Sequence, residues 1–388
     1  MLHFLKSPAA GGAHDEEQAR MDADVLKNLT DPAVLFFFLG VAIGLIRSNL
    51  EIPAPVAKFL SLYLLMALGF KGGQALADAG LSGEGVKVIG AAIVLALVIP
   101  VIWFLVLRKR IDAFDAAAIA ATYGSVSAVT FVTASQFLAS RGDEAGGHMT
   151  VAMVLMESPA IIMAVLLATW VRARLNATTS TAHQPVVTSA RADLAIIDSR
   201  TLVPEAPHPA GERGPEEGVE SSEPPISIKE VFREAFTDGV NLLLIGSMVV
   251  GFISGPAGGE AMAPFVNGLF KGLLAFFLLE MGLLVARRLR EVRDVGPFLI
   301  AFGVLVPFIN AALALTIGWA LQISVGDLTL LAVLAASGSY IVVPAVVRYA
   351  IPEATPSRYL TLALGITFPV NITIGIPAYY AIASAIAN

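Results

Sequence analysis

The chain has 388 residues, of which 56% are hydrophobic and only 14% are charged, and its formal net charge at pH 7 is −6. A soluble protein of this length could not cover its surface with so few charged residues, so the composition predicts an integral membrane protein. No basic stripe points to a nucleic acid partner, and a sequence without cysteine excludes disulfides, iron–sulfur clusters and thiol catalysis.

Ten hydrophobic runs are candidate transmembrane helices because their lengths suit the hydrocarbon core of a bilayer. An acidic tail at 1–31, which lacks the pattern of a cleavable signal peptide, precedes them. Five runs follow at about 32–47, 55–78, 86–107, 114–140 and 149–173, and five more at about 235–254, 263–286, 296–323, 327–349 and 359–386. The segment between the two groups, 176–228, is rich in Pro, Ser, Thr and Glu, which predicts a disordered linker.

The two groups of five runs resemble each other in sequence. Residues 59–77 resemble 265–286, and TVAMVLMESP at 150–159 resembles LTLALGITFP at 360–369. Because each group has an odd number of crossings, the second group enters the membrane from the opposite side. The sequence therefore predicts an all-α membrane protein of ten helices in two inverted five-helix repeats, at 32–175 and 229–388.

The distribution of Lys and Arg predicts the orientation of these helices. Lys and Arg are concentrated at helix ends that a ten-helix arrangement places on one side: Arg47, Arg108, Lys109, Arg110, Arg172, Arg174, Arg287, Arg288, Arg290, Arg293, Arg348 and Arg358. By the positive-inside rule this side and the linker are cytoplasmic, and both termini lie outside. We expect a multi-pass protein of the cell inner (plasma) membrane.

Two runs are interrupted at matching places by small and hydroxyl-bearing residues, GSVSAVT at 124–130 and SGSYIVVP at 337–344. Matched interruptions in two repeats indicate a transporter's binding site, because half-helix N-termini attract anions while unwound carbonyls and hydroxyls suit sodium. The alternative is that the small residues only let helices pack closely. The candidate ligands are the hydroxyls of Ser125, Ser127, Thr130, Ser337 and Ser339.

A few polar side chains fall inside the apolar runs, where an ionised group is costly and usually functional or paired. Glu157, beside Pro159, could bind a cation, carry a proton or cap a proline kink. Asn371 could couple to an ion or equally bind a freed backbone group. Lys71 and Glu280 occupy the same repeat position, so we expect them either to pair between the repeats or to reach separate interfaces.

The sequence offers no catalytic motif. It contains no HExxH, GxSxG or Walker pattern, and its histidines lie in predicted tails, linker or a loop, at His3, His14, His148, His183 and His208. A serine hydrolase would need a base near Ser125 or Ser339, and only Glu157 is available. We therefore expect no enzyme, no metal centre and no cofactor, apart from sodium as a coupling ion.

Several short motifs, taken in order, resemble the sodium-dependent bicarbonate transporter family (SbtA-like permeases). These are FLSLYLLMALGFKGG near residue 70, GSVSAVT, AASGSY and AIPEATPSRYLTLALGITFPVNITIGIP, and the similarity covers roughly 30–175 and 229–386. The resemblance implies import of bicarbonate with sodium at two crossing broken helices. It also implies a homotrimer, a core domain that moves against a gate domain, and a PII-like cytoplasmic regulator.

The resemblance also assigns site residues. The family's site maps onto Gly124, Ser125, Ser127, Ala128 and Thr130, and onto Ser337, Gly338, Ser339 and Tyr340, while its fifth-span carboxylate maps onto Glu157. With Asn371, the residues Glu157 and Tyr340 form the predicted ion-coupling set. The family pattern tends to have Asp in place of Glu157, Gly in place of Ala128 and Asp in place of Tyr340. A phenol in place of a carboxylate makes the anion site better supported than the sodium site.

We therefore predict a secondary active transporter that imports bicarbonate, coupled to sodium, by alternating access within the lipid bilayer. In this mechanism the third to fifth and eighth to tenth helices move against the other four. The alternatives are a proton-coupled transporter of another small anion and a transport-inactive membrane receptor or scaffold. Substrate-dependent accumulation in vesicles distinguishes a transporter from a receptor.

Overall fold

A computed structural model of the protein describes residues 30–80, 82–182 and 239–387, and the regular secondary structure in these residues is helical throughout. The first group of helices is α1 (Pro32–Leu45), α2 (Ala54–Ala79), α3 (Gly83–Leu107), α4 (Ala113–Gly124), α5 (Ala128–Ala139) and α6 (His148–Ala182). The second group is α7 (Gly239–Ala263), α8 (Phe270–Leu289), α9 (Val292–Val295), α10 (Pro297–Ala320), α11 (Val325–Ala336), α12 (Val342–Ala350), α13 (Pro356–Leu360), α14 (Phe368–Val370) and α15 (Ile376–Ala387). Wider π-helical turns occupy Pro264–Gly268, Thr361–Thr367 and Asn371–Gly375.

The helices coincide with the predicted hydrophobic runs. Among the described residues, 7 helical stretches are long and apolar enough to cross a membrane: Ala54–Asp78, Gly83–Leu107, Ala113–Ala139, His148–Arg174, Leu242–Leu289, Pro297–Ala320 and Pro356–Ala387. The stretch Leu242–Leu289 is 48 residues long and covers most of the run predicted at 235–254 and all of the run predicted at 263–286, while α1 and α11 are shorter apolar helices. The fold is therefore that of an all-helical integral membrane protein.

The predicted linker at 176–228 begins too early. Helix α6 continues to Ala182, because its last turns contain neither glycine nor proline and the next proline is Pro185. The rest of this linker, the predicted tail up to residue 29 and four of the histidines lie outside the described residues.

Glycines let α1 pack tightly against α8. A Cβ on Gly40 would lie 2.1 Å from the carbonyl oxygen of Leu279, and one on Gly282 would lie 2.2 Å from the carbonyl oxygen of Phe37. No side chain fits at such distances, so only glycine allows the two backbones to touch here.

The packing of α2 against α7 repeats this arrangement. A Cβ on Gly251 would lie 2.1 Å from the carbonyl oxygen of Phe70, and one on Gly73 would lie 1.9 Å from the carbonyl oxygen of Met248. Gly251 thus corresponds to Gly40, and Gly73 corresponds to Gly282. We call these two contacts the glycine crossings. Each one joins a helix of the first group to a helix of the second.

Asp115, in the first turn of α4, fastens this short helix to the segment that leads into α13. Its side chain is buried, and its Oδ1 accepts a hydrogen bond from Thr355 N at 2.7 Å. Its Oδ2 forms an ion pair with Arg358. We call this contact the Arg358 clamp.

Asp327, in the first turn of α11, makes the corresponding contact with the segment that leads into α6. Its Oδ1 accepts a hydrogen bond from Gly146 N at 2.7 Å, and its Oδ2 lies 2.5 Å from Nε2 of the buried His148. We call this contact the His148 clamp. The two clamps hold α4 and α11, the helices that precede the breaks, in fixed positions.

Candidate functional site

The helical conformation is interrupted at both predicted places. Residues 125–127 separate α4 from α5, and residues 337–341 separate α11 from α12. Ser125 has an extended backbone (φ −99°, ψ −177°), as do Ser127 (φ −108°, ψ 109°) and Ser337 (φ −87°, ψ 162°). All three serines are buried. The two predicted breaks are therefore confirmed, and they lie inside the protein.

Hydrogen bonds tie each break to the other. Ser339 N donates directly to the carbonyl oxygen of Thr122 at 2.9 Å. Ser127 N donates to the hydroxyl of Ser337 at 3.0 Å, and that hydroxyl donates to the carbonyl oxygen of Leu334 at 2.8 Å. Ser127 N is thus joined to Leu334 through a hydroxyl, whereas Ser339 and Thr122 are joined by backbone atoms alone.

Ser127 and Ser339 also cap the helices that follow the breaks. Ser127 Oγ accepts hydrogen bonds from Thr130 N at 3.2 Å and from the Thr130 hydroxyl at 2.9 Å. Ser339 Oγ accepts a hydrogen bond from Val343 N at 3.3 Å. Each serine therefore fixes the start of a helix, whose N-terminal end carries a partial positive charge.

A cavity of about 550 Å³, measured with its open mouth, lies against both breaks. It is lined by Ser61, Leu64, Leu65, Val126, Ser127, Ala128, Val129, Val132, Glu157, Phe277, Ser339, Tyr340 and Ile341. The N–H groups of Ala128 and Val129, and those of Tyr340 and Ile341 in the second break, donate to no acceptor among the described residues. Unpaired amides at helix N-termini are a recurring site for small anions.

The cavity brings together some of the predicted site residues. Those that line it are Ser127, Ala128, Glu157, Ser339 and Tyr340, whereas Gly124, Ser125, Thr130, Ser337, Gly338 and Asn371 do not. Gly124 has a packing role, because a Cβ there would lie 2.0 Å from Cγ of Pro100. The predicted motif thus divides into residues that face the cavity and residues that hold the breaks in shape.

The hydroxyl of Ser125 is an unsatisfied side-chain group of the first break. It is buried and has no hydrogen-bond partner among the described residues, whereas Ser337, two residues before Ser339, both accepts and donates. A buried hydroxyl without a partner costs about 1–3 kcal/mol. Ser125 and Ser337 therefore differ in hydrogen bonding although they hold corresponding places in the two breaks.

Asn371 binds the backbone and does not reach the cavity. Its Nδ2 donates to the carbonyl oxygen of Ala336, the last residue of α11, at 2.9 Å. Its Oδ1 accepts a hydrogen bond from the hydroxyl of Tyr379 at 2.9 Å. Of the two roles predicted for Asn371, these contacts favour the capture of a freed backbone group.

Lys71 and Glu280 do not form the predicted ion pair, since no salt bridge joins them within the described part of the chain. Lys71 Nζ lies 5.7 Å from the ring centroid of Phe270, and its electrostatic partner is Glu144. Glu280 interacts electrostatically with Arg287, and its Oε2 is buried without a hydrogen-bond partner. Lys71 thus contacts α8 at Phe270, ten residues or roughly 15 Å along this helix from Glu280.

Sequence reasoning missed the contributions of α2 and α8 to the cavity. Ser61 and Phe277 line it beside the breaks. Ser61 carries a hydroxyl within an apolar run, and this polar group is the sequence feature that could have indicated its place in the cavity. The two clamps were also missed, because nothing in the sequence pairs Asp115 with Arg358 or Asp327 with His148.

An ion pair at the end of α12 adds a contact between this helix and α6. Arg172 donates to both carboxylate oxygens of Glu353, at 2.8 and 2.7 Å, and to the carbonyl oxygen of Ala350 at 2.9 Å. The hydrogen bonds from Arg172 hold the pKa of Glu353 below its ordinary value. This contact supports the far end of the second broken segment and lies outside the cavity.

The family model of the Na⁺-dependent bicarbonate transporter superfamily matches residues 32–384. The matched region includes both glycine crossings, both breaks and all the residues that line the cavity. No curated protein matches the chain.

Proposed function

The chain belongs to the Na⁺-dependent bicarbonate transporter superfamily, and we propose that it is a secondary transporter that imports bicarbonate together with sodium. The superfamily is one of membrane transporters and not of enzymes. Bicarbonate and sodium are accordingly the first substrates to test.

The observation that carries this proposal is the cavity at the two breaks. Two helix N-termini face it, and the N–H groups of Ala128, Val129, Tyr340 and Ile341 have no acceptor among the described residues. Bicarbonate is a small anion whose oxygens accept hydrogen bonds, so it matches such a set of donors. The hydroxyls of Ser127 and Ser339 line the same cavity and add polar contacts.

We further propose that the fold consists of ten membrane helices in two inverted repeats. The glycine crossings support this, because α1 meets α8 as α7 meets α2, through glycines at corresponding positions. The clamps support it as well, because Asp115 and Asp327 bind corresponding segments of opposite groups. In such a fold, alternating access arises when the broken helices and their clamped partners move against α1, α2, α7 and α8.

Transport by purified protein in proteoliposomes tests the proposal. We expect radiolabelled bicarbonate to accumulate only when an inward sodium gradient is imposed. Ser127→Ala should reduce this uptake at least tenfold, which is the order expected when about 1.4 kcal/mol of binding is removed. The matched control is Ser254→Ala, which removes an exposed hydroxyl that bonds only its own helix. Uptake that ignores the sodium gradient would contradict the sodium coupling, and absent uptake would contradict the bicarbonate substrate.

A proton-coupled anion transporter is the second candidate, and the position of Glu157 favours it. Glu157 lines the cavity, where its carboxylate could gain and lose a proton as the substrate binds and leaves. In that case an inward proton gradient would replace the sodium gradient. Glu157→Gln would then abolish the dependence on pH and leave a slow, gradient-independent flux.

The remaining features of the proposal concern the cellular setting. We propose a multi-pass protein of the inner (plasma) membrane with its basic helix ends in the cytoplasm. Assembly as a homotrimer and binding of a PII-like regulator follow from the family resemblance alone. Size measurement of the detergent-solubilised protein by light scattering tests the trimer directly.

A further inference from the structure

A second cavity lies on the side of the protein that carries the α5–α6 loop. It is lined by residues of α2, α5 and that loop, among them Lys71, Ala75, Ser135, Gln136 and Glu144. Its walls are more polar than those of the cavity at the breaks. Glu144 is exposed at its mouth, whereas Lys71 is half-buried. The second cavity therefore has an interior cation and a peripheral carboxylate.

The second cavity continues the first along the same two helices. On α2, Leu64 and Leu65 line the first cavity, and Lys71 lines the second. On α5, Val129 lines the first and Gln136 the second. A separation of seven residues along a helix corresponds to roughly 10 Å. The seam between α2 and α5 thus leads from Lys71 to the candidate anion site in about two helical turns.

Apolar side chains occupy the part of this seam between the two cavities. Leu68 and Phe131 line the second cavity at the end nearer the breaks, and Val132 lines the first. Both Phe131 and Val132 are buried. The stretch of the seam between the two cavities is therefore apolar.

Lys71 is an unusual residue in this place because its ammonium group has no ion pair in the described part of the chain. No carboxylate oxygen there lies within salt-bridge distance, and its contacts are the ring of Phe270 at 5.7 Å and the electrostatic influence of Glu144. A cation inside a membrane protein is costly unless it is paired or functional. An anion that enters the second cavity would supply the missing partner.

We propose that the second cavity is an outer anion-binding site in which Lys71 captures a small monovalent oxyanion before it passes to the cavity at the breaks. This inference rests on the proposed function for the identity of the transported anion. Gln136 and Ser135 line the same cavity as Lys71 and can donate hydrogen bonds to an anion there, and Leu68 and Phe131 form its apolar end. Glu144 opposes capture, since it places a negative charge at the same mouth.

Substitution with cysteine tests the charge of Lys71 directly, because the natural chain contains no cysteine. We expect Lys71→Cys to raise the apparent KM for bicarbonate uptake about tenfold, as removal of a nearby unit charge would. Modification with an aminoethyl thiosulfonate, which restores an ammonium group, should recover most of the uptake. Modification with a sulfonatoethyl thiosulfonate, which adds a negative charge, should lower it further. The control is Ala75→Cys, one turn away in the same cavity, where the native lysine remains and the two adducts should differ much less.

A second measurement does not depend on transport. In a Ser135→Cys variant, we expect the sulfonate reagent to react about tenfold more slowly once Lys71 is also replaced by Gln, because the local potential falls. Glu144→Gln should have the opposite effect on this rate. Bicarbonate, and nitrate as a second oxyanion, should slow the reaction only when Lys71 is present.

These experiments separate the two proposals. If the protein carries no bicarbonate but the reaction rate still depends on Lys71, the proposed substrate fails and the outer anion site stands. If bicarbonate is carried but the two reagents act alike on Lys71→Cys, and the rate at Ser135→Cys ignores Lys71, the outer site is overturned. A Lys71→Arg variant that is folded and transports normally agrees with capture by charge.

Discussion

The first and second breaks have the same backbone design but different side-chain roles. In the second break Ser339 N reaches a carbonyl oxygen directly, while in the first Ser127 N reaches one through the hydroxyl of Ser337. As a result the hydroxyl of Ser337 is fully used, and that of Ser125, which holds the same place in the first break, has no partner. The comparison teaches that two similar breaks can use serines at corresponding positions differently, one to join the breaks and one with its hydroxyl unpaired.

The clamps show a similar contrast at the other ends of α4 and α11. Both use an aspartate in the first helical turn, and both bind a backbone amide at 2.7 Å. The partners differ, because Arg358 is permanently charged whereas the imidazole of His148 changes charge near neutral pH. The contact at Asp115 is therefore an ion pair at every physiological pH, and the one at Asp327 is an ion pair only when His148 is protonated.

The largest effect is expected at the glycine crossings, where the two halves should behave identically. Gly73→Ala and Gly282→Ala each place a Cβ about 2 Å from a carbonyl oxygen, so each should destabilise the protein by about 3 kcal/mol. Thermal unfolding of the purified protein in detergent measures this. Gly90→Ala is the control, since a Cβ there meets nothing within 4 Å. A large effect in one crossing and none in the other would break the proposed equivalence.

A smaller effect, and one that differs between the halves, is expected at the clamps. Asp115→Asn should cost about 2 kcal/mol at any pH from 6 to 8, because it removes a partly exposed ion pair with a guanidinium group. Asp327→Asn should cost less at high pH and more as the pH falls, because protonation of His148 adds charge to the native contact. Thermal unfolding across this pH range compares the two variants. Equal and pH-independent losses would mean that the imidazole stays in one charge state.

The smallest effect is expected at the paired serines of the breaks. Ser337→Ala leaves Ser127 N without its acceptor and should cost about 1–2 kcal/mol of stability. Ser125→Ala removes a hydroxyl that has no partner, so stability should stay the same or rise slightly. Bicarbonate uptake by the two variants sharpens the contrast. A stable Ser125→Ala protein with reduced uptake would place this hydroxyl in the ligand site, whereas full uptake would remove it from the site.

Much of the fold could be predicted because membrane helices are recorded in the sequence as long apolar runs. The run predicted at 86–107 is the helix Gly83–Leu107, and the breaks at Ser125 and Ser337 follow from clusters of small polar residues. The end of α6 could not be predicted as well, since its polar last turns contain no residue that stops a helix.

The candidate site was predicted only in part, because partners depend on packing that one sequence does not reveal. Ser127, Ser339 and Glu157, which the sequence assigns to the site, line one cavity. The predicted pairing of Lys71 with Glu280 is not found, because a sequence alignment shows that two positions are equivalent but not that they lie close together. Ser337 was assigned to the ligand, although its hydroxyl joins the two breaks.

The glycine crossings have a consequence for how the protein is made. Helices α1 and α2 leave the ribosome long before α8 and α7, the helices against which their glycines pack, have been synthesised. Until then, the surfaces around Gly40 and Gly73 lack the helices that cover them in the finished fold. The first half of the chain therefore cannot complete its native packing by itself, and that packing follows translation of the second half.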